Sequence, residues 1–168
     1  MEAGARKPRI LRLDTRVRGR YGPIGPLGAV TGHYTAERAD RSDEDALELF
    51  RRHDAYHDSR WGDGIAYHYG LTRAGTLVLL RPTRFRGTGV GGHNTGNVHI
   101  VCHGTTGTKP SSLQAGSLRW LHENSHRRVM PASHRLPVHM SGCALWATPT
   151  GPGRGATRAV PEASSACT

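Results

Sequence analysis

The spacing of apolar residues predicts a long amphipathic helix in the first half of the chain. Over residues 41–59, RSDEDALELFRRHDAYHDS, apolar positions recur three and four residues apart, as they do on one buried helix face. Ser42 and Asp45 resemble a capping box, and acidic residues fill the first turn, where the helix dipole favours negative charge. The expected buried positions are Ala46, Leu49, Phe50, His53 and His57.

Short apolar runs bounded by turn residues predict β-strands in the rest of the domain. The first strand is expected at residues 29–34, after the turn-rich YGPIGPLG. GIAYHYGLTRAGTLVLLRP predicts two strands around a turn at residues 73–75, and NVHIVCHG predicts another. A second helix is expected over residues 111–127, with one side formed by Leu113, Leu118, Leu121 and His122. This order predicts an α/β or α+β fold, in which helices flank a mixed central sheet.

Composition divides the chain into a folded centre and two flanks. The 168 residues have room for one domain with its own core. Residues 1–20 hold seven Lys or Arg against two acids, which is half of the net charge of +10. Residues 148–168 lack periodicity and are rich in Gly, Pro, Ser and Thr. We therefore interpret 1–22 as a basic arm, 23–147 as the domain and 148–168 as a tail.

The net charge favours a polyanionic partner, which could be nucleic acid, an anionic cell envelope or an acidic lipid surface, although solubility explains the charge equally well. No window approaches the roughly 20 apolar residues of a membrane span. The N-terminus has no apolar stretch of the kind found in secretory signals, so synthesis in the cytoplasm is expected. The three cysteines are an odd number, so at least one is a free thiol or a metal ligand.

Eleven histidines raise the possibility of a metal site. Zinc prefers imidazole and thiolate ligands, and a catalytic zinc keeps one position open. No pair of these residues has zinc-finger spacing, and H-E-x-x-H is absent. Spacing alone therefore gives weak support for a metal, and core or surface roles are expected for the helical His53, His57, His122 and His126.

Four motifs in order resemble the zinc N-acetylmuramoyl-L-alanine amidases, a family that includes phage endolysins and peptidoglycan recognition proteins. They are VTGHYTAE, WGDGIAYHYGLTRAGT, GGHNTGNVHIVCHG and SHRLPVHMSGC, and together they span residues 30–143. The most specific is WGDGIAYHY, which is similar to the family's Trp-x-Asp-(x)-Ile-Gly-Tyr-His-Phe run. The resemblance implies a single mixed α/β amidase domain.

The resemblance also implies a set of site residues. His33, His134 and Cys143 correspond to the zinc ligands, with one residue more between the last two than the family usually has. That insertion leaves His139 as a rival second ligand. Tyr67 and Ser141 correspond to residues that donate hydrogen bonds to the oxyanion formed during amide hydrolysis. CALW replaces the usual Cys-Pro-Gly, so the loop after Cys143 is expected to run differently.

Several other residues have structural or open roles. Cys102 is expected in the core, Trp61 in packing and Asp63 in a turn. His93 is expected to shape its loop or reach the substrate cleft, not to bind metal. The roles of His99, His103 and Cys167 stay open, and the last of these could pair with another chain.

The function implied is peptidoglycan hydrolysis between N-acetylmuramic acid and L-alanine, with Zn²⁺ lowering the pKa of a bound water and polarising the carbonyl. The expected protein is a monomeric phage-type endolysin, which is made in the host cytoplasm and acts on the cell wall after release. Its basic arm would bind anionic envelope polymers. The alternatives are a non-catalytic peptidoglycan-binding module of the same fold, which the presence of Cys143 disfavours, and a basic nucleic-acid-binding protein, for which no RNA-binding or zinc-finger pattern exists.

Overall fold

A computed structural model describes residues 5–37, 42–105 and 109–137 and the backbone of 144–147. Its elements are β1 (Ile10–Arg12), β2 (Ala29–Tyr34), α1 (Asp43–Trp61), β3 (Tyr69–Leu71), β4 (Leu77–Leu79), β5 (Asn97–Cys102), α2 (Ser112–Asn124), a 3₁₀ turn (Ala132–His134) and β6 (Ala144–Ala147). None of the helices in these residues has the length and apolar character needed to cross a bilayer. Ser141, Cys143, His139, Cys167 and the predicted tail lie outside the described residues.

Helix α1 confirms the prediction from periodicity. Ser42 accepts a hydrogen bond from the Asp45 N–H at 3.1 Å, and the helix ends at Gly62, whose φ of 74° lies in the left-handed region. Its buried residues are Ala46, Leu49, Phe50, Asp54 and His57. The expectation that His53 is buried was wrong in part, because 18% of its side chain is exposed. Asp54 is buried instead.

Helix α2 begins with a full capping box, in which Ser111 and Gln114 each bond to the other's backbone N–H. Its buried residues are Gln114, Ser117, Trp120 and Leu121. The helix ends at Asn124, three residues before the predicted end. Leu113 was wrongly placed on the buried side, since 59% of it is exposed.

The strands form one mixed sheet in the order β1-β4-β3-β5-β2-β6. Only β3 and β4 pair antiparallel, as the predicted hairpin requires, and the other neighbours pair parallel. Because side chains alternate along a strand, each strand sends one set to α1 and the other to α2. Predicted fold class and sheet type are thus confirmed.

The two faces of the sheet have separate cores. On the α2 face, Trp120 and Leu121 pack with Tyr69, Leu79 and Ile100. On the α1 face the core cluster is Leu13, Ala46, Phe50, Ile65, Ala66, Tyr67, Val78, Leu80 and Val101. A Cβ on Gly70 would lie 2.7 Å from the Phe50 ring, so the glycine lets α1 approach the sheet closely. The α1 face also carries the histidines described below.

The predicted basic arm is corrected by the structure. Within the described residues 5–22, β1 forms an edge of the sheet through parallel pairing with β4, and Leu13 is buried. Arg9, Arg16 and Arg18 form ion pairs with Asp43, Asp54 and Asp58 of α1. The segment is therefore packed on the domain because its apolar residues join the sheet and its arginines meet acids. Residues 5–22 therefore do not form the mobile arm that was expected to bind anionic polymers.

Candidate active site

His33 and His99 meet on the α1 face of the sheet. β2 and β5 pair in parallel with Thr31 opposite His99, so His33 lies one diagonal step along the same face. The Nε2 atom of His33 is 3.0 Å from the Nδ1 atom of His99. Both residues are almost completely buried. The parallel register thus brings two imidazoles into direct contact below the surface.

Burial keeps both imidazoles neutral at ordinary pH. It lowers the pKa of His33 to about 4, because the charged form loses its hydration. The same desolvation, aided by the charges of His68 and His33, lowers the pKa of His99 well below its usual value. The hydrogen bond between them requires one nitrogen to carry a proton and the other to offer its lone pair.

Two further histidines frame this pair and have their tautomers set by the backbone. His68 Nδ1 accepts the His99 N–H at 2.9 Å, so its Nε2 carries the proton and donates to the Phe85 carbonyl, also at 2.9 Å. Its ring stacks on that of His99 at 5.8 Å. His57 of α1 accepts the Ala66 N–H on Nδ1 at 3.0 Å. Both therefore position the loops and strands around His33 and His99.

Tyr67 lies beside His33, as the resemblance implied. Their ring centroids are 4.9 Å apart, and the Tyr67 ring also meets His57 edge-on at 5.5 Å. Burial raises the pKa of Tyr67 to about 12, so its hydroxyl stays protonated and can donate a hydrogen bond. The role of Tyr67 in catalysis stays a prediction. Its ring lies next to His33, as that role requires.

A buried ion pair holds the loop that carries Tyr67. The guanidinium of Arg81 donates to the Asp63 carboxylate at 3.0 Å and to the carbonyls of Asp63, Ile65 and Arg86. Burial alone would raise the pKa of Asp63, but hydrogen bonds from Arg81 and from backbone N–H groups lower it below its usual value. Asp63 is therefore more than the predicted turn residue, because its carboxylate also accepts the Arg18 N–H at 2.7 Å and so joins the loop to the N-terminal segment.

A glycine-rich loop covers the two imidazoles. A Cβ on Gly89 would lie 2.8 Å from His99 Nδ1 and 2.9 Å from His33 Nε2, and a Cβ on Gly87 would collide with the His99 ring. Neither glycine has a positive φ. Glycine is therefore needed at these positions because a side chain would not fit, and not because of the backbone conformation. The loop backbone thus lies so close to the two rings that a side chain at either glycine would not fit.

The structure does not bring His134 to this site. Within the described residues, His134 follows α2 in the 3₁₀ turn, where its carbonyl accepts the Tyr69 hydroxyl at 2.6 Å. Tyr69 belongs to the core under α2, on the sheet face opposite His33 and His99. The adjacent Ser133 carbonyl accepts the Thr83 N–H at 3.0 Å and fixes the turn there. The His134 ring lies 6.2 Å from that of Tyr69, and its Nδ1 is 3.0 Å from the Ser133 hydroxyl. Ser141 and Cys143 fall outside the described residues.

His99 is the site residue that sequence reasoning missed. The strand prediction contained it, and β alternation placed it on one face with His103, but neither observation supplied a partner. The partner follows from the parallel pairing of β5 with β2, which joins residues 66 positions apart.

A cavity of about 480 Å³ lies elsewhere, between the N-terminal segment and α1, among charged residues that include Arg16 and Asp54.

Solved structures provide the comparison that places this fold. Drosophila peptidoglycan recognition protein SD matches with a TM-score of 0.69 at 19% identity, covering 84% of this chain and 83% of its own. The N-acetylmuramoyl-L-alanine amidase LysC from Clostridium intestinale matches with 0.55 at 20% identity, covering 67% and 70%. This chain has the amidase and peptidoglycan-recognition fold. The resemblance seen in the sequence is thereby confirmed for the fold. No family model and no curated protein matches the sequence.

A third match, the complex of peptidoglycan recognition proteins LCa and LCx with bound tracheal cytotoxin, has a TM-score of 0.67 at 20% identity and covers 83% of each chain. The amidase and peptidoglycan-recognition fold therefore includes both enzymes and proteins named for recognition. Whether this chain is an enzyme or a recognition protein depends on its own residues.

The zinc that the sequence resemblance implies fits part of the arrangement. Two neutral imidazole nitrogens 3.0 Å apart, next to space that a Cβ would fill, suit a small cation. The described residues contain no cluster of three His, Cys, Asp or Glu that would complete a site. The assignments of His33, His134 and Cys143 as zinc ligands therefore all stay predictions.

Proposed function

We propose that this protein hydrolyses peptidoglycan at the amide bond between N-acetylmuramic acid and L-alanine. The observation that carries the proposal is Tyr67, a buried phenol beside the His33–His99 pair on the amidase and peptidoglycan-recognition fold. Zinc bound there would polarise the scissile carbonyl and activate water. Among the described residues, His33 would hold the ion. Cys143 and Ser141 keep the ligand and oxyanion roles predicted from the resemblance.

Tyr67 has a defined part in such a reaction. A phenol that keeps its proton up to a pKa of about 12 can donate a hydrogen bond to oxygen throughout the neutral range. The hydroxyl would stabilise the negative charge that develops on the carbonyl oxygen during attack on the amide. Arg81 and Asp63 keep Tyr67 in place by fixing the preceding loop. A fixed donor needs no reorganisation during the reaction, which is the source of its effect.

The test is digestion of purified peptidoglycan by zinc-loaded protein, with the products identified by mass. Release of intact stem peptides with a free L-alanine amine is expected. Tyr67→Phe should lower the rate by roughly 10²- to 10³-fold, while binding to sedimented peptidoglycan stays unchanged. Tyr56→Phe is the matched control, because Tyr56 is 59% exposed on the outside of α1, and its rate should stay within about twofold.

Other products would overturn the assignment in distinct ways. Sugar fragments without free peptide would mean cleavage of the glycan. Binding to peptidoglycan without any product, with zinc present, would favour the second candidate, a recognition module. That candidate is supported by the recognition protein complex with tracheal cytotoxin, which has the same fold. Service as a phage endolysin would further require that lysis follow when the active protein reaches the wall from inside the cell.

A further inference from the structure

Charge is distributed unevenly along the chain and over the two faces of the sheet. Eleven of the 13 acidic residues precede Gly64, and Glu123 is the only acid in residues 64–161. The same stretch holds eleven Lys or Arg. Helix α1, by contrast, carries six acids against three arginines. The net positive charge of the protein therefore comes from the part of the chain that contains α2 and the turns after it.

Several arginines meet where the chain leaves α2. The Arg127 carbonyl accepts the Met130 N–H at 3.1 Å, and the Arg135 guanidinium donates to the Met130 carbonyl at 3.0 Å. The loop after β4 joins this turn next to Arg84, since the Thr83 hydroxyl donates to the Arg135 carbonyl at 2.9 Å. We call this surface the arginine patch, and its members are Arg12, Arg84, Arg127, Arg128 and Arg135.

Strand β1 brings Arg12 to the same side of the sheet. Ile10 packs against the core cluster that contains Met130 and Leu136, both of which belong to the turns after α2. Because side chains alternate along a strand, Arg12 shares the face of Ile10, whereas Leu13 enters the core under α1. The edge strand and the turns after α2 thus contribute to one surface.

The arginine patch is open to solvent and lacks acidic partners. Four of its members are exposed, and Arg135 is half-buried. Among the described residues none of the five forms an ion pair, whereas the arginines of the N-terminal segment at positions 9, 16 and 18 pair with acids of α1. Residues 138–161 contain no acid that could neutralise the patch. Its positive field is therefore available to an anionic partner.

An apolar side chain in the middle of the patch distinguishes between anionic partners. Val129 follows Arg127 and Arg128 directly and is 50% exposed, and the nearby Pro131 and Ala132 are exposed as well. A soluble polyanion would satisfy the arginines and leave Val129 in water. A lipid bilayer offers phosphates that match the guanidinium fork, and below them an apolar layer that a valine can enter.

We propose that the arginine patch binds the surface of an anionic lipid bilayer, with its guanidinium groups on lipid phosphates and Val129 at the boundary of the acyl chains. The inference does not rest on the proposed function, since neither zinc nor peptidoglycan takes part in it. The patch lies on the α2 side of the sheet, so a bound bilayer leaves the α1 face, with His33 and Tyr67, turned away from the lipid.

The test is co-sedimentation with vesicles of phosphatidylglycerol and phosphatidylcholine, compared with vesicles of phosphatidylcholine alone, at low and high salt. Binding is expected only to the anionic vesicles and should weaken as salt screens the charges. The double variant Arg127→Gln/Arg128→Gln should bind roughly 25-fold more weakly, because each basic residue at such a surface contributes about a factor of five.

Arg51→Gln/Arg52→Gln is the matched control. These two arginines are also adjacent and exposed, but they lie on α1, and the variant has the same net charge as the first one. Its affinity for anionic vesicles should stay within about twofold of the wild type, since charges far from the bilayer are screened. Circular dichroism of all variants should match the wild type, because every substituted side chain is exposed.

Val129→Ser separates a bilayer from a soluble polyanion. It should weaken vesicle binding by about threefold to fivefold and leave the salt dependence unchanged, because it removes apolar contact and no charge. The proposal is overturned if the wild type does not bind anionic vesicles, or if both double variants lose binding equally. It is also overturned if Val129→Ser has no effect while soluble polyphosphate binds the wild type as tightly as the vesicles do, a result that would assign the patch to a soluble polyanion.

Discussion

The two faces of the central sheet are built on different principles. Under α2, strand residues such as Tyr69, Leu79 and Ile100 form an apolar core with Trp120 and Leu121. Under α1, the same strands present His68, His99 and His33, and the adjoining loops add Tyr67 and the Arg81–Asp63 ion pair. One face stabilises the domain through apolar burial alone, and the other adds to its apolar cluster a group of buried polar side chains that need hydrogen-bond partners.

This difference explains where function can reside. Buried apolar groups tolerate substitution by others of similar volume, whereas buried polar groups need particular partners at particular distances. The α1 face holds neutral imidazoles and a protonated phenol below the surface, and these groups need such partners. Four changes to the protein or its conditions test this difference between the two faces.

Removal of Arg81 should have the largest effect on stability. Arg81→Met leaves the Asp63 carboxylate buried without its ion partner and three carbonyls without a donor. The free energy of unfolding should fall by about 3–5 kcal/mol, measured by urea denaturation. Arg51→Met is the control, since Arg51 and Glu48 are both exposed on α1, and its effect should stay below about 1 kcal/mol. Equal losses in both variants would mean that the polar network contributes little to the α1 face.

A methyl group at Gly89 tests the space above the histidines. Gly89→Ala places a Cβ within 3 Å of His33 Nε2 and His99 Nδ1, and overpacking of this kind costs about 1–3 kcal/mol. Gly91→Ala is the matched control in the same loop, because a Cβ at Gly91 meets nothing within 4 Å and its φ is not positive. Thermal unfolding of the two variants should separate them, and a Gly89→Ala protein as stable as the control would show that the loop has room for a methyl group above the two histidines.

The fold was more accessible from the sequence than the site was. Local signals placed β2, α1 and the β3–β4 hairpin, because capping, periodicity and turn residues lie within a few positions of one another. Edge strand β1 was missed, since its three residues are flanked by arginines that resemble a solvated arm. The contact of His33 with His99 depends on the pairing of β2 with β5. A single sequence does not show which strands pair, so this contact could not be predicted from it. Tyr67 was found only because its motif is continuous.

Acid should weaken the α1 face through His57. Burial, with smaller contributions from nearby positive charge, lowers the pKa of His57 from its usual 6.5 to about 3 in the folded protein. Between these values the unfolded chain binds a proton that the folded one does not, so stability falls as pH decreases from 6.5. At pH 5.5 the contribution of this residue should be about 1.4 kcal/mol relative to pH 8. His57→Gln should reduce the difference between urea midpoints at the two pH values, and an unchanged difference would mean that His57 is not held neutral.

The smallest effect is expected on the α2 face, at a residue that periodicity placed inside. Leu113 is 59% exposed in the first turn of α2, whereas Leu121 is fully buried in the core. Leu113→Ser should change the free energy of unfolding by no more than about 0.5 kcal/mol, because the side chain already contacts water. Leu121→Ala in the same helix should cost about 2–5 kcal/mol. Urea denaturation distinguishes the two, and a large loss from Leu113→Ser would mean that the apolar face of α2 is wider than its buried residues indicate, so that Leu113 is covered when the protein is in solution.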